Sequence, residues 1–193
     1  MPYLLPAQFF SVTVHKGGRA VIFGYFIPDI IFKNVYDIDF NELKEKNNIK
    51  GIIFDIDNTL VSYRQENPTK NVCELMDKLK NDGFFICFIS NNTKKRVDIF
   101  NERFKFFSFP KAGKPFTSCI KKALKIMEIT EKNAVLVGDQ LFTDIAAAKK
   151  AKIMAILVEP IEPAKTLFFK FKRFMEKPFI KRYYKKSGNN LCK

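Results

Sequence analysis

Short runs of consecutive apolar residues alternate along this chain with segments in which apolar residues recur at helical spacing. Three of the runs, 51–54, 84–89 and 134–137, are rich in β-branched or aromatic side chains. Continuous apolar runs of this length are typical of strands buried on both faces of a sheet. A fourth run of the same character covers 153–158, and a weaker strand is predicted near 106–109.

The segments between these runs predict helices. The first carries apolar residues at Val72, Leu75, Met76 and Leu79 and ends at Asp82-Gly83. A further helix is predicted to open at Lys114-Pro115, because proline suits the first helical position. The remaining helical signals are Val97, Phe100 and Phe104; Phe116, Ile120, Leu124 and Met127; and the alanine-rich stretch to Lys150. This alternation predicts an α/β fold, with a parallel sheet covered by helices on both faces.

Polar clusters follow the predicted strands or open the helices after them. In open parallel sheets the ligand site lies beyond the carboxyl ends of the strands, so these clusters are expected to meet at one edge. The clusters are Asp55 with Asp57, Ser90 with Asn91, Lys114, and Asp139 with Asp144. Ser90 and Asp144 could equally cap the helices that follow them.

These side chains are suited to phosphate chemistry. Asp55 and Asp57 lie two residues apart on extended chain and point roughly the same way, and Asp139 adds a third carboxylate. An all-oxygen ligand set suits Mg²⁺. Lys114 supplies a fixed positive charge, and Ser90 and the amides after it supply donors for phosphate. Since no histidine, serine–base pair or activated cysteine accompanies them, a carboxylate is the available nucleophile of a phosphoryl-transfer site.

The composition narrows the class of protein. The chain has 193 residues, 47% apolar and 28% charged, which is typical of a folded protein. Its four cysteines form no C-x-x-C pair, so neither a disulfide framework nor a zinc site is predicted. The single histidine, His15, would have to serve any catalytic triad, and no G-x-S-x-G motif accompanies it. No leader or membrane span is evident, so a reduced, cytoplasmic protein is expected.

The net charge of +14 is concentrated at the C-terminal end. Residues 164–193 hold ten basic residues and one acidic residue, which gives +9 and leaves +5 for the rest. Apolar residues recur there at helical spacing: Leu167, Phe168, Phe171, Phe174 and Met175. Such a helix would lie well on an anionic membrane surface. It could instead dock on the sheet by that same face. Binding of single-stranded nucleic acid is a third option that no motif supports.

The motifs resemble those of the haloacid dehalogenase (HAD) superfamily. They are Asp55-Ile-Asp57-Asn-Thr-Leu, Ser90-Asn-Asn, Lys114-Pro, and Gly138-Asp139-x-x-x-x-Asp144, in that order. In detail, the sequence of the motifs over residues 25–160 is similar to that of the YqeG-type phosphatases of subfamily IIIA. This group includes the mitochondrial phosphatidylglycerophosphate phosphatases. The resemblance implies a Rossmann-like core, and the short segments 61–71 and 93–114 leave no room for a cap domain.

The resemblance also implies a role for each residue. Asp55 would attack phosphorus and become an aspartyl-phosphate. Asp57 would protonate the leaving alcohol and then deprotonate the hydrolytic water. Ser90 and Asn91 would bind the substrate phosphate, and Lys114 would neutralise its developing charge.

A Mg²⁺ site follows from the same resemblance. Asp139 would bind the ion together with Asp55 and the backbone carbonyl of Asp57, and Asp144 would support the ligands. An acid at the position of Asp57 favours a phosphatase over a dehalogenase.

The sequence therefore predicts three regions: an apolar and aromatic segment at 1–45 that packs on the core or a membrane, a phosphatase core at 46–162, and a basic aromatic tail at 163–193. The favoured function is Mg²⁺-dependent hydrolysis of phosphatidylglycerophosphate, by a cytoplasmic protein that can lie peripherally on the inner face of the membrane through residues 164–186. One alternative is a soluble phosphatase of nucleotides, sugars or nucleic-acid ends. Another is a basic membrane- or nucleic-acid-binding module with an inactive site.

Overall fold

A computed structural model of the chain describes residues 24–163 and 166–188. Within these residues, six strands form one parallel sheet in the order β1-β6-β5-β2-β3-β4. The strands are Ile30–Phe32 (β1), Gly51–Phe54 (β2), Phe85–Ile89 (β3), Phe107–Phe109 (β4), Ala134–Gly138 (β5) and Met154–Val158 (β6). Strand β2 is central, because it pairs with β3 on one side and β5 on the other.

Six α-helices connect and cover the strands. They are Phe40–Asn47 (α1), Lys70–Asn81 (α2), Lys94–Asn101 (α3), Ser118–Ile126 (α4), Ala146–Lys150 (α5) and Leu167–Gly188 (α6), with short 3₁₀ helices at Val35–Asp37 and Glu131–Asn133 and a π-helix at Leu141–Ile145. Thr69 and Thr93 start α2 and α3, because each side chain accepts a hydrogen bond from the backbone N–H three residues on.

Alternate residues of the inner strands enter two different hydrophobic cores. In β2, Ile52 and Phe54 pack with α1, α2 and α3, whereas Ile53 packs with α4 and α5 on the other face. Phe179 and Ile180 of α6 pack against that second core. This period of two is what a strand buried on both faces requires. The predicted α/β fold, with a parallel sheet and helices on both faces, is confirmed.

The predicted N-terminal segment 1–45 contributes to the sheet. β1 pairs with β6 as an edge strand, and Phe40 and Leu43 of α1 are buried in the first core. Neither element was anticipated, and the boundary expected at 45/46 falls inside α1. Residues 1–23 lie outside the described part of the chain.

The helix predicted to open at Lys114-Pro115 begins instead at Ser118, so that prediction is wrong. The Asn91 side chain accepts a hydrogen bond from the Lys114 N–H at 2.8 Å and donates one to the Lys114 carbonyl at 3.1 Å. The Lys114–Pro115 peptide is cis. Because the backbone of Lys114 is held against the loop after β3, the helix starts only after this segment, and Phe116 is left exposed.

Helix α6 does not dock on the body of the protein by the face that carries Leu167, Phe171 and Phe174, which was one of the options that the sequence left open. Leu167, Phe171 and Phe174 are exposed, while Glu176 is buried. None of the described helices combines the length and apolar character needed to cross a membrane.

Candidate active site

Three of the predicted site residues lie at the carboxyl ends of neighbouring strands. Asp55 follows β2, Ser90 follows β3, and Asp139 follows β5. The parallel register places the carboxyl ends of these strands side by side, because Phe54, the last residue of β2, is paired with Phe88 and Val137, each one residue before the end of its strand. The sheet therefore brings together residues that are far apart in sequence, as predicted.

Lys114 is buried between two carboxylates. Its Nζ lies 2.5 Å from Asp55 Oδ1 and 2.6 Å from Asp144 Oδ1, and it donates a hydrogen bond to the Ile89 carbonyl at 2.9 Å. Burial alone would lower the pKa of Lys114, but the two carboxylates outweigh it and raise the pKa above its ordinary value. Lys114 is therefore a fixed cation at the centre of the site.

Three buried carboxylates form one group. Asp55, Asp139 and Asp144 each offer an oxygen, and these oxygens all lie within 4.8 Å of one another. Burial raises the pKa of Asp55 to about 7, against the opposing effect of Lys114, and raises the pKa of Asp139 to about 8. A cation at this point would relieve the cost of clustering the negative charges.

The donor set fits a hard cation such as Mg²⁺. All three side chains are carboxylates, and oxygen is the donor that Mg²⁺ prefers. Asp139 Oδ1 is buried and has no hydrogen-bond partner among the described residues. A buried carboxylate oxygen without a donor is what a metal ligand presents before it binds.

Asp55 is held at both of its carboxylate oxygens. Oδ1 pairs with Lys114, and Oδ2 accepts a hydrogen bond from Thr59 Oγ1 at 3.1 Å. Because Thr59 is itself buried four residues further along the chain, the turn after β2 fixes the orientation of Asp55. A fixed carboxylate loses little entropy when it attacks a bound group.

Asp57 is held by a different set of donors from those around Asp55. Arg96 Nη2 lies 3.0 Å from Asp57 Oδ1, while Asn92 Nδ2 and Ser90 Oγ donate to Oδ2 at 3.1 and 3.3 Å. The side chain of Asp57 lies outside the group of three carboxylates that could share a metal ion. The two acids two residues apart thus stand in separate environments, as a nucleophile and a proton-transfer residue require.

Arg96 and Asn92 were not predicted to serve the site. Arg96 also donates to the carbonyls of Gln65 and Glu66, at 2.8 and 2.7 Å, and so ties the loop after β2 to α3. In sequence it ends the run Lys94-Lys95-Arg96, which is typical of a solvated surface. One signal could have indicated that Arg96 contacts the site. It lies three residues after the Thr93 cap, in the first turn of the helix that follows Ser90.

Ser90 and Asp144 lie in the candidate site and do not cap the helices that follow them, which the sequence had also allowed. Thr93 caps α3, and Ser90 Oγ instead accepts a hydrogen bond from the Asn92 N–H at 3.0 Å. Asp144 lies inside the π-helix, where its Oδ2 accepts from the Gln140 N–H at 3.1 Å. Asn91 is engaged with the backbone of Lys114.

Helix α6 reaches the same carboxylates from outside the sheet. Arg173 Nη2 forms an ion pair with Asp139 Oδ2, and Arg173 Nη1 donates to the Asp139 carbonyl at 2.5 Å. Lys172 Nζ contacts Gln140 Oε1 next to it. These contacts were not predicted, because the apolar residues of the tail dominate its helical pattern.

The site as a whole consists of buried carboxylates around a buried lysine, beside a second acid with its own donors, at the carboxyl edge of a parallel α/β sheet. Such a site belongs to the class of phosphoryl-transfer enzymes that use a carboxylate nucleophile.

Comparisons with known proteins agree. The HAD-hydrolase-like family model matches residues 111–160. The protein named "Probable phosphatase YqeG" of Bacillus subtilis is 34% identical over 156 residues, which cover 81% of this chain and 90% of that protein. The chain belongs to the HAD superfamily and to the family of YqeG, and it is a HAD-type phosphatase. The resemblance predicted from its motifs is confirmed.

Two further matches are more distant. A glyceraldehyde 3-phosphate phosphatase of Pyrococcus furiosus is 27% identical over 128 residues, which cover 62% of this chain and 48% of that protein. A HAD-superfamily hydrolase of subfamily IA from Geobacter sulfurreducens has a solved structure that is 14% identical, with a TM-score of 0.49, covering 61% of this chain and 90% of its own.

Proposed function

We propose that this phosphatase depends on Mg²⁺, forms an aspartyl-phosphate on Asp55, and converts phosphatidylglycerophosphate to phosphatidylglycerol. The observation that carries the mechanism is the buried group of Asp55, Asp139 and Asp144 held around Lys114. The substrate rests on the resemblance in the motifs and on the surface of α6. Under this proposal the protein works in the cytoplasm, at the inner face of the membrane.

In the first step, a carboxylate oxygen of Asp55 attacks the phosphorus atom and the bond between phosphorus and the ester oxygen breaks. Asp57 donates its proton to the leaving oxygen, which departs as an alcohol. Lys114 stabilises the negative charge that develops on the transferring phosphoryl group. Ser90 and the loop that Asn91 holds supply hydrogen bonds to the same group.

In the second step, Asp57 removes a proton from a water molecule, whose oxygen attacks the phosphorus of the aspartyl-phosphate. The bond between phosphorus and the Asp55 oxygen breaks, which releases inorganic phosphate and restores the carboxylate. Asp57 can serve both steps because Arg96, Asn92 and Ser90 hold its carboxylate beside Asp55 rather than within the metal-binding group.

Asp55, Asp139 and the backbone carbonyl of Asp57 would hold Mg²⁺, with Asp144 in support. Bound there, the ion would offset the charge of the carboxylates and of the phosphate. The unpartnered Asp139 Oδ1 and the all-oxygen donor set support this assignment.

The outer face of α6 supports a lipid substrate. Leu167 is 84% exposed, and Phe171 and Phe174 are each 63% exposed. Residues 166–188 carry eight basic residues and one acidic residue, a net charge of +7. A cationic helix with exposed aromatic side chains binds anionic membrane surfaces by burying those rings among the headgroups.

The connections after β2 and β3 support the same class of substrate. The described part of the chain has no cap domain, because the turn after β2 leads directly into α2, and β3 leads to α3 and β4 within the core. A site without a cap admits a headgroup that remains attached to a bilayer. A small soluble phosphate ester is the second candidate, which the name of the Pyrococcus relative favours.

The test is phosphate release from phosphatidylglycerophosphate in mixed micelles and from p-nitrophenyl phosphate, each with Mg²⁺ or with EDTA. We compare the wild type with Asp55→Asn and with Asp98→Asn, an exposed α3 carboxylate that pairs with Lys94. The proposal predicts Mg²⁺-dependent release from the lipid that is lost only in Asp55→Asn. Release from the soluble ester alone would refute the lipid substrate. No phosphate release from either substrate would favour a binding module with an inactive site.

A further inference from the structure

Helix α6 contributes two charged side chains to the candidate active site. Arg173 is half-buried and contacts Asp139, and Glu176 is 1% exposed. The side chains of the basic residues nearby on the same helix are either exposed, as at Lys177, or turned to Gln140, as at Lys172. Arg173 and Glu176 therefore need an explanation beyond the helix's attraction to an anionic surface.

Glu176 anchors Arg173 and the π-helix together. Its Oε2 accepts a hydrogen bond from Arg173 Nη1 at 2.9 Å, and its Oε1 accepts from the Leu141 N–H at 3.1 Å. A buried carboxylate is costly unless both of its oxygens are satisfied, and here they are. Leu141 begins the π-helix that carries Asp144, so Glu176 ties α6 to the loop bearing two of the three clustered carboxylates.

Arg173 occupies one side of Asp139 and leaves the other side free. It binds Oδ2 and the backbone carbonyl, whereas Oδ1 has no hydrogen-bond partner among the described residues. An arginine that competed with a metal ion for Asp139 would be expected to engage both carboxylate oxygens in the paired arrangement that guanidinium groups favour. Here the guanidinium fork spans a side chain and a carbonyl, which fixes the rotation of the carboxylate.

We propose that Arg173 is a positioning residue: from α6 it holds Asp139 so that Oδ1 is presented to the divalent cation, and Glu176 holds Arg173 in place. This inference rests on the metal site of the proposed function. Groups that hydrogen-bond a metal ligand orient it and set its affinity for the metal, and their removal typically weakens binding roughly 10- to 100-fold. The C-terminal helix is on this account part of the active site as well as a surface element.

Binding of Mn²⁺ to the full-length protein, followed by the loss of the free-ion electron paramagnetic resonance signal, tests this directly because it needs no turnover. The variants are Arg173→Gln and Arg173→Lys. The control is Arg103→Gln, which removes an arginine from an exposed ion pair with Asp77. Thermal unfolding of each variant shows whether it is folded under the conditions of the titration.

The proposal predicts that Arg173→Gln weakens Mn²⁺ binding roughly 10- to 100-fold, that Arg173→Lys recovers part of the loss, and that Arg103→Gln matches the wild type. In the activity assay, the Mg²⁺ concentration for half-maximal rate should rise in the same order. Unchanged binding in folded Arg173→Gln or Arg173→Lys would overturn the role of Arg173. Tighter binding would also overturn it, and would show that the arginine competes with the metal. If the wild type binds no Mn²⁺, the metal site fails and this role fails with it.

Discussion

The strand-end carboxylates and the helix α6 meet at Asp139, but they are held in very different ways. Asp55 and Asp139 follow β2 and β5, two inner strands that are hydrogen-bonded on both sides. Arg173 and Glu176 come from a helix outside the sheet, on which Leu167, Phe171 and Phe174 are exposed. The sheet thus places the strand-end carboxylates, while our proposals give α6 two further roles, in positioning Asp139 and in contacting a membrane. Changes in the two regions should therefore have separable effects.

The largest effect is expected at Lys114, the cation between Asp55 and Asp144. Replacing it in Lys114→Met removes the charge that stabilises the transferring phosphoryl group, so kcat should fall by roughly 10²- to 10³-fold. Phosphate release from p-nitrophenyl phosphate measures this, with the exposed Lys122→Met on α4 as the control. A loss of less than about threefold in kcat would contradict the central position given to Lys114.

A second test of the strand-end region uses a glycine. A Cβ on Gly138 would lie 2.5 Å from Asp144 Cβ and 2.7 Å from its Oδ2, whereas a Cβ on Gly24 would meet nothing within 4 Å. Gly138→Ala should lower the free energy of unfolding by about 1–3 kcal/mol and also reduce activity, because Asp144 is forced to move. Urea unfolding of Gly138→Ala and Gly24→Ala measures the difference. If the two variants had equal free energies of unfolding, the Asp144 side chain would be able to move away from the added methyl group without loss of stability.

The two faces of α6 should respond differently to substitution. Phe171→Ser with Phe174→Ser removes exposed rings, so stability should change by less than about 0.5 kcal/mol for each change. Binding to vesicles containing phosphatidylglycerol should weaken about tenfold or more. Phe179→Ala removes a ring packed edge-on against Phe26 and Phe142, and should cost about 1–3 kcal/mol of stability.

Sedimentation with vesicles and thermal unfolding separate these outcomes. Turnover of p-nitrophenyl phosphate should survive in the double variant, because Arg173 remains on Asp139. Vesicle binding that does not depend on Phe171 and Phe174 would remove the main structural support for a membrane substrate.

The last prediction concerns the pH dependence of stability in the metal-free protein. Burial raises the pKa of Asp55 to about 7 and that of Asp139 to about 8, from an ordinary value of 3.8. Between about pH 4 and the raised pKa values, the folded state binds protons that the unfolded state has lost. The free energy of unfolding should therefore fall as the pH rises from about 4 to about 8. Urea unfolding in EDTA at both ends of this range measures it. In Asp139→Asn the slope should be shallower, and an identical slope would contradict the assignment.

The sequence predicted the strand-end region well for a physical reason. Four continuous apolar runs are typical of buried strands, and parallel strands bring their carboxyl ends to one edge of the sheet. Asp55, Ser90 and Asp139 could therefore be grouped from the sequence alone. The edge strand β1 was not predicted, because it is only three residues long and lies in a longer apolar stretch that Pro28 interrupts.

The contributions of helices to the site were harder to predict. Arg96 follows two lysines, and Glu176 stands alone among basic residues, so each was consistent with a solvated helix face. Their burial depends on partners brought near by the tertiary fold, such as the carbonyls of Gln65 and Glu66 or the N–H of Leu141, and local pattern carries no information about those. The pattern of the tail likewise left open whether its aromatic face meets a membrane or the sheet, and it did not indicate that Glu176 faces the protein.

The central claim is that Asp55 carries the phosphoryl group. It is tested most directly by stopping a reaction with Mg²⁺ and substrate at short times and analysing the tryptic peptide 51–64 by mass spectrometry. The account predicts a phosphate on this peptide that hydroxylamine removes, as it does from an acyl phosphate, and that is lacking in Asp55→Asn. Turnover that proceeds with this peptide unmodified, or a phosphate that survives hydroxylamine, would contradict it.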